Sequence, residues 1–366
     1  MSAGRRPVAR LAAAALCAAT AATVLAGPPA QAAVGWPGLA GPRPDAALLE
    51  RCTGTDPVVC TYPDLPPGHY DVTVMLGDRH GTASTQVQAE ARRLMVDTVD
   101  TADGELARRT FTVNVRDPES QQNQPAGEGT PGLTLTFTGD APRVAGIGIR
   151  GADERTPRLA LLGDSTVTDQ GGAPYTGWGQ RLPAHFGLGV SVVNHSGSGE
   201  STVSVLAKPE MFDALLPQLR PGDVALVQLA HNDKATTAEQ YRANLTEIVE
   251  RVRATGATPV LVTPIVRLRF DGDQLNPTGL IETAAGSLPQ HVRDVAVDLD
   301  ADLIDLTALS EELVEGLGPV DAQPIYLIRE NGDRTHTSWY GAGVYADLVA
   351  GELRRLGLVP ERYWGP

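Results

Sequence analysis

The 366-residue chain is poor in positive charge, in cysteine and in aromatic residues. It has 30 Lys and Arg residues against 44 Asp and Glu residues, so its formal net charge is -14 at pH 7. Nucleic acids and anionic membrane surfaces attract basic proteins. We therefore expect neither as a partner, although this charge does not exclude a sugar polymer.

Several cofactor motifs are absent as well. The sequence contains no HExxH, no pair of CxxC motifs and no glycine-lysine loop of the kind that cradles phosphate groups. We therefore expect that the protein needs no metal ion and no organic cofactor.

The first 32 residues have the pattern of an export signal. Three arginines precede an apolar, alanine-rich stretch from Leu11 to Leu25, and residues 30–32 (AQA) fit a cleavage site. A membrane anchor is the alternative, but the apolar run is short and no second span follows. We predict a signal peptide over residues 1–32 and a secreted protein. Its net charge would be -17, since this segment carries three arginines and no acidic residue.

Export would leave two cysteines, Cys52 and Cys60. In an oxidising compartment, two cysteines this close in sequence favour a disulfide that closes a short loop. A metal site is the alternative, and no cluster of companion ligands supports it.

The pattern of residues divides the mature chain into two regions. In residues 33–150 apolar and β-branched residues alternate with polar ones, which is typical of half-buried strands. We predict an antiparallel β-sandwich there, with a polar surface loop over residues 118–132. The runs that carry this pattern are 70–76, 82–89, 92–99, 109–115 and 133–137.

In residues 157–358 short apolar strands alternate with helices. This order implies an α/β domain with a parallel sheet covered on both faces. Ligands of such sheets bind beyond the carboxyl ends of the strands. The predicted strands are 159–162, 190–193, 224–229, 259–263 and 303–306, and the predicted helices are 178–186, 238–254 and 338–356.

Two motifs in this region suggest a serine nucleophile and its base. Ser165 follows a strand and a Gly-Asp turn, which would raise its hydroxyl to the sheet edge beside a helix N-terminus. A serine needs a base, and the base needs a carboxylate on its far nitrogen. Asp333 and His336 are suited to these roles. The alternatives are a helix cap at Asp164 or Ser165 and a capping Asp333 beside an exposed His336.

Two further motifs suggest donors for an oxyanion. The side-chain amide of Asn232, after the strand 224–229, could donate to a tetrahedral intermediate. Gly199 has no Cβ, so its backbone N–H can approach a ligand closely. We predict an oxyanion hole formed by Gly199, Asn232 and the backbone N–H of Ser165. A polar turn at Asn232 and a flexible loop at Gly199 are the alternatives, and Gly197 could take the place of Gly199.

The candidates for substrate contact are weaker. Arg267 could bind a uronic acid carboxylate, Trp178 could stack on a sugar ring, and His231 flanks Asn232. Tyr175, Trp339 and Tyr340 are further aromatic candidates, and His195 is a rival base without an acid nearby in the sequence. The alternatives are a surface charge for Arg267, core packing for the aromatic residues, and a bracing role for His231.

Together the motifs resemble the conserved blocks of SGNH hydrolases, the GDSL-like esterases, and among them the rhamnogalacturonan acetylesterases. The resemblance covers residues 157–358. It implies a flavodoxin-like three-layer α/β/α domain with Ser165, His336 and Asp333 as the triad. Residues 70–116 resemble a galactose-binding-like β-sandwich. The matching blocks are 163–166 (GDST), 177–180 (GWGQ), 194–199 (NHSGSG), 231–233 (HND) and 333–336 (DRTH), followed by Gly341-Ala342.

The chain departs from the family pattern at two positions. Ala230 stands where a glycine often precedes His-Asn-Asp, and Glu200 stands where an arginine is frequent. Glu200 would place a negative charge near the site, which opposes an acidic substrate polymer.

The expected function is a secreted serine esterase that removes acetyl groups from plant cell-wall polysaccharide, with pectic rhamnogalacturonan as the first candidate and xylan as the second. If His336 has an ordinary histidine pKa, activity should rise between about pH 6 and 7.5. One alternative is the same fold acting on another acyl ester. The other is a carbohydrate-binding surface module with an inactive hydrolase-like domain. The oligomeric state is not predicted.

Overall fold

A computed structural model of the chain describes residues 41–116 and 130–365. The predicted signal peptide and all but the last three residues of the predicted loop 118–132 lie outside the described residues. Cys52 and Cys60 are joined by a disulfide, as the sequence predicts.

The first region contains two antiparallel sheets. One has the order β1-β2-β7-β4-β5 and the other has the order β6-β3-β8. Strand β4 alternates buried and half-buried residues along its whole length, the pattern of a strand with one face on a core. The elements are α1 (Ala46–Leu49), β1 (Cys52–Thr53), β2 (Val58–Tyr62), β3 (Gly68–Leu76), β4 (Ala83–Ala89), β5 (Arg93–Thr101), β6 (Ala107–Val115), β7 (Leu133–Ala141) and β8 (Val144–Gly151).

The two sheets share one hydrophobic core. Val72 and Phe111 of one sheet pack in the same buried cluster as Val87, Leu135 and Phe137 of the other. This supports the predicted antiparallel architecture in its coarse form. The likeness to galactose-binding domains stays a prediction.

The second region contains a parallel sheet with the order β10-β9-β11-β12-β17. In order of sequence this is 2-1-3-4-5, the flavodoxin-like arrangement. The elements of the first half are β9 (Arg158–Gly163), α2 (Trp178–Arg181), β10 (Ser191–Asn194), α3 (Thr202–Ala207), β11 (Val224–Gln228), α4 (Ala238–Ala254) and β12 (Thr258–Val262). Those of the second half are β13 (Phe270–Asp271), β14 (Gln274–Leu275), β15 (Glu282–Thr283), β16 (Gly286–Ser287), α5 (Leu288–Asp298), β17 (Asp302–Ile304), α6 (Leu306–Asp321), α7 (Ile328–Asn331) and α8 (Trp339–Arg355).

Helices cover both faces of this sheet. Because side chains alternate along a strand, Leu159 and Leu161 of β9 join one core, while Ala160 and Leu162 join another. Helices α2, α6 and α8 contribute to the first core, and α3, α4 and α5 contribute to the second. The result is three layers, with the carboxyl ends of the strands open at one edge.

The sheet region and the sandwich region pack against each other. Residues 41–116 and 130–365 belong to one compact unit. Arg93 and Arg116 of the sandwich both lie within 3.4 Å of the buried carboxylate of Asp169, which follows the predicted nucleophile by four residues. The division at residues 150–157 into two domains stays a prediction.

No helix within residues 41–116 and 130–365 is both long enough and apolar enough to cross a membrane.

Candidate active site

Ser165 lies directly beyond the carboxyl end of β9, and β9 is an interior strand of the sheet. The strand ends at Gly163, where an added Cβ would lie 2.5 Å from Val167 Cγ2, so the tight turn requires glycine. Asp164 closes this turn because its Oδ1 accepts the backbone N–H of Thr166 at 2.9 Å and the Thr166 hydroxyl at 2.8 Å. The Ser165 side chain is therefore held at the sheet edge.

The C-terminal motif brings an imidazole to this hydroxyl. His336 Nε2 lies 2.9 Å from Ser165 Oγ, and His336 Nδ1 lies 2.6 Å from Asp333 Oδ2. An ionised carboxylate only accepts hydrogen bonds, so the proton of a neutral His336 belongs on Nδ1. Nε2 is then free to accept the hydroxyl proton. This is the geometry that a Ser-His-Asp triad requires.

Asp333 is held in its ionised form. Burial raises the pKa of its carboxyl, but hydrogen bonds from the His336 side chain and from two backbone N–H groups outweigh burial and hold the pKa below its usual value. The backbone donors are those of Thr335, at 2.8 Å, and His336, at 3.0 Å. The three-residue spacing lets one loop orient both groups.

The predicted oxyanion donors Gly199 and Asn232 lie on the loops that follow β10 and β11. Gly197 N–H donates to Gly163 O at 3.0 Å, which ties the Gly199 loop to the end of β9. The amide of Asn232 donates to Glu200 O at 2.9 Å. Within the described part of the chain, neither Ser165 nor Gly199 donates its backbone N–H to another group. Their roles in an oxyanion hole remain a proposal.

Glu200 does not contribute free negative charge to the site. Its side chain is buried and lies 2.5 Å from both Lys208 Nζ and the Ser204 hydroxyl. The ion pair with Lys208 balances the carboxylate. The expected opposition between Glu200 and an acidic substrate is therefore removed by its local partners.

A second His-Asp pair, which no sequence motif predicts, joins the segments that follow β9 and β11. His231 Nδ1 is 3.0 Å from Asp164 Oδ2, and His231 Nε2 is 3.0 Å from the carbonyl oxygen of Ile265. Burial raises the pKa of Asp164, but the charge and hydrogen bond of His231 and the bonds from Thr166 outweigh it and hold that pKa below its usual value. Since both partners of the ring accept, both nitrogens carry hydrogen. The only sequence signal is that each residue adjoins a predicted functional residue.

Two of the predicted substrate contacts are wrong. Trp178 is 0% exposed, and its Nε1–H donates to Gln228 Oε1 at 2.9 Å in the core beneath the sheet. His231 is 3% exposed, and both of its ring nitrogens are bonded to protein groups. The Trp178 ring is buried on the inward face of α2 and cannot stack on a sugar. His231 braces the loop, and neither of its ring nitrogens is available to a sugar.

Arg267 is placed differently. It is half-buried, donates to His231 O at 3.1 Å, and shares with Lys234 a cavity of about 300 Å³ beside the Asn232 loop. Burial lowers the pKa of its guanidinium, and the Asp164 carboxylate partly restores it. Two cations therefore face one cavity next to a predicted oxyanion donor, although Glu282 also lines it.

His195 is not suited to be the base. Its Nε2 lies 3.0 Å from the Gln218 amide, and burial, with a contribution from Arg116, lowers its pKa to about 3. The imidazole is neutral and buried behind the sheet edge, and no hydrogen bond joins it to Ser165.

Gln170 and Tyr175 complete the surroundings of the triad. The Gln170 amide donates to Ser165 O at 2.8 Å and to Ser198 Oγ at 3.2 Å, which bridges the nucleophile and the Gly199 loop. The Tyr175 ring meets the His336 ring edge-on at 5.3 Å between centroids. No sequence motif predicts Gln170, because its contacts form only when the chain after residue 165 turns back toward Ser165 and Ser198.

Across residues 41–116 and 130–365, no group of three His, Cys, Asp or Glu side chains is placed to hold a metal ion.

Comparison with known proteins adds a family and several relatives. A model described as the GDSL-like Lipase/Acylhydrolase family matches residues 161–336. Rhamnogalacturonan acetylesterase RhgT of Bacillus subtilis is 34% identical over 217 residues, which cover 55% of this chain and 91% of RhgT. The probable rhamnogalacturonan acetylesterase YesY of the same species is 29% identical over 214 residues, which cover 55% of this chain and 94% of YesY.

A further relative extends over both regions. Uncharacterized esterase YxiM of Bacillus subtilis is 29% identical over 302 residues, which cover 81% of this chain and 74% of YxiM. The crystal structure of YxiM has a TM-score of 0.51 and 26% identity, and the match covers 82% of this chain and 80% of that one. A match of this length reaches well into the region that precedes residue 161.

Proposed function

Because the chain belongs to the GDSL-like lipase/acylhydrolase family and so is a carboxylic ester hydrolase, we propose that it removes O-acetyl groups from plant cell-wall polysaccharide. Rhamnogalacturonan is the first candidate substrate and acetylated xylan is the second. The observation that carries the proposal is the continuous contact from Asp333 through His336 to the Ser165 hydroxyl, at 2.6 and 2.9 Å. Secretion through the N-terminal signal is part of the same proposal.

The geometry supports an acetyl-enzyme mechanism. Ser165 Oγ attacks the acetyl carbonyl while its proton passes to His336 Nε2. The oxyanion of the tetrahedral intermediate accepts hydrogen bonds from Asn232 and from the backbone N–H groups of Ser165 and Gly199. The bond to the sugar oxygen then breaks as His336 protonates that oxygen, so the sugar leaves as its free hydroxyl and the acetyl group stays esterified to Ser165. Water, deprotonated by His336, hydrolyses that ester and regenerates the serine.

Asp333 has a positioning role in both half-reactions. It keeps the His336 proton on Nδ1 and stabilises the imidazolium that forms when Nε2 takes the serine proton. Because its pKa lies below the usual value, it remains ionised throughout the range in which a histidine titrates.

Two observations favour an acidic pectic polymer over a neutral one. RhgT, named as a rhamnogalacturonan acetylesterase, aligns with this chain over 91% of its own length. Arg267 and Lys234 also face one cavity beside Asn232, while the Glu200 carboxylate is balanced by Lys208. Two cations against the single carboxylate of Glu282 in this cavity suit a substrate that carries uronate groups.

Acetate release from a panel of acetylated rhamnogalacturonan, xylan and chitin fragments tests the proposal. We expect the highest kcat/KM on rhamnogalacturonan and the loss of all turnover in Ser165→Ala. Ser84→Ala on strand β4 is the matched control and should behave as wild type. If p-nitrophenyl acetate is hydrolysed but no glycan releases acetate, the substrate is another acyl ester. If neither reacts, the catalytic assignment is wrong.

A further inference from the structure

A second cavity lies where the sandwich region meets the catalytic loops. Its volume is about 410 Å³, and residues from both regions line it. The sandwich supplies Arg92, from the turn between β4 and β5. The sheet region supplies Pro174, Arg329, Glu330, Trp339 and Tyr340 among others.

Residues on both sides of the Asp333–His336 loop line this cavity. Ser338, Trp339 and Tyr340 follow His336 by two to four residues, and Arg329 and Glu330 precede Asp333 on α7. Pro174 precedes Tyr175, whose ring contacts the His336 ring and whose hydroxyl accepts a hydrogen bond from Asn331 at 2.8 Å. The walls of the cavity therefore include the segments just before Asp333 and just after His336.

Positive charge predominates in the cavity although the whole chain is acidic. Arg92 and Arg329 face it against the single carboxylate of Glu330, in a chain with a net charge of -14. Arg329 is exposed at the rim. A local excess of arginine on an acidic protein favours an anionic ligand, and guanidinium groups bind carboxylates by paired hydrogen bonds.

Arg92 is fixed in its position. It is half-buried, and its Nη1 donates to the carbonyl oxygens of Tyr175 at 3.1 Å and Gln170 at 3.4 Å. Its backbone has a φ of +57°, a left-handed conformation that is uncommon for a residue other than glycine. Backbone strain of this kind persists only where surrounding contacts hold it, and it concentrates at functional sites.

The cavity also offers an aromatic surface. Tyr340 is 61% exposed, and it is the one aromatic residue among the highly exposed large hydrophobic side chains of the described residues. Trp339 is half-buried, with the Arg181 guanidinium over its ring at 4.3 Å from the centroid. An exposed tyrosine with an apolar ring face and a polar tip suits contact with a pyranose.

We propose that this cavity is a substrate subsite that binds a hexuronate residue of the polysaccharide, with its carboxylate at Arg92 and Arg329 and its ring against Tyr340. The inference rests on the proposed function and extends it, because it makes the sandwich region part of the substrate site.

Isothermal titration of the whole protein with trigalacturonate, which carries no acetyl group, tests binding apart from catalysis. We expect Arg329→Gln, Arg92→Gln and Tyr340→Ala each to weaken trigalacturonate binding about ten-fold. Arg79→Gln is the matched control, since Arg79 is an exposed arginine of the sandwich outside the cavity. Its dissociation constant should stay within two-fold of wild type.

Xylotriose, a neutral trisaccharide, separates charge recognition from a change in shape. The two arginine variants should lose the preference for trigalacturonate over xylotriose, which a purely structural effect on the Tyr175 loop would not remove. Wild type that binds both trisaccharides equally, or trigalacturonate affinity unchanged in Arg329→Gln and Tyr340→Ala, would overturn the proposal. Either result is independent of acetate release, so failure of the subsite and failure of the esterase function are distinguishable.

Discussion

Two histidine–aspartate pairs lie at the same edge of the parallel sheet, and they differ in what faces the second ring nitrogen. In the pair His336–Asp333 that nitrogen faces a hydroxyl at 2.9 Å, and the side chains are 30% and 22% exposed. In the pair His231–Asp164 it faces a carbonyl oxygen at 3.0 Å, and the side chains are 3% and 0% exposed.

The difference decides which pair can catalyse proton transfer. A hydroxyl can donate, so His336 can accept a proton through Nε2. A carbonyl oxygen only accepts, so His231 must keep a hydrogen on Nε2 and cannot act as a base. The first pair is placed to move protons, whereas the second joins the segments that follow β9 and β11 as a buried pair.

The largest expected effect is that of His336→Gln. Without the base, the Ser165 hydroxyl is a poor nucleophile, and kcat should fall by about 10⁴-fold or more. Because the side chain is partly exposed, the melting temperature should change little. Steady-state hydrolysis of p-nitrophenyl acetate and thermal denaturation measure the two quantities. A kcat within ten-fold of wild type would remove His336 from the mechanism.

His231→Gln should lower stability more than activity, the reverse of His336→Gln. It leaves the buried Asp164 carboxylate without its charged partner, which costs about 3–5 kcal/mol in the free energy of unfolding. Chemical denaturation measures this loss, and kcat of the folded fraction should fall less than in His336→Gln. Unchanged stability with kcat as low as that of His336→Gln would reverse the roles of the two pairs.

Asn232→Ala tests whether the Asn232 amide is a donor of the proposed oxyanion hole. Loss of one donor should lower kcat by about 10²–10³-fold with little change in KM. The free energy of unfolding should change by about 1 kcal/mol, since the side chain makes one hydrogen bond, to Glu200 O. If the domain unfolds instead, Asn232 is a structural residue and the oxyanion hole lacks it.

The smallest expected effect concerns a third histidine, His69, at the contact between the two regions. Its Nδ1 is 2.9 Å from Ser191 Oγ, and its Nε2 accepts from Arg158 Nε at 3.2 Å, so the ring is neutral. Burial, followed by the charge of Arg158, lowers its pKa from 6.5 to about 4. Between these values the unfolded chain binds a proton that the folded chain does not, so stability is lost as the pH falls.

His69→Gln removes this titration. The unfolding free energy of wild type relative to the variant should therefore decrease by about 2 kcal/mol between pH 7 and pH 4. Urea denaturation at several pH values measures the difference. A constant difference over this range would show that His69 takes up its proton equally in the folded and unfolded chains.

Much of the fold was readable from local patterns. The predicted strands 159–162, 190–193, 224–229, 259–263 and 303–306 all overlap strands of the sheet, although the last extends two residues beyond β17, and helix 238–254 has the predicted bounds. Short apolar runs separated by amphipathic helices carry enough information for this, because a buried parallel strand is apolar on both faces.

Other elements were missed for physical reasons. Helix α6 is kinked at Gly318, where the φ of +77° is not helical, and Pro319 follows directly. Glycine and proline are poor helix formers, so the sequence of this segment does not predict a helix. Strand β8 contains glycines at 146 and 148, and glycine has a low β-propensity, so the sequence pattern of a strand is weak there. At Gly148 an added Cβ would lie 2.4 Å from Arg43 O, a contact with no local signal.

The sequence by itself determined the residue types and their order: a serine after an apolar strand, an amide after another, and an aspartate and histidine on one late loop. Only the tertiary structure decided which histidine faces a hydroxyl, that Trp178 is buried in the core, and that the sandwich brings Arg92 to the catalytic loops. Local patterns record whether a side chain prefers water or the interior. Which atom a ring nitrogen meets depends on residues such as Ser165 and His336, 171 positions apart, which only the folded chain brings together.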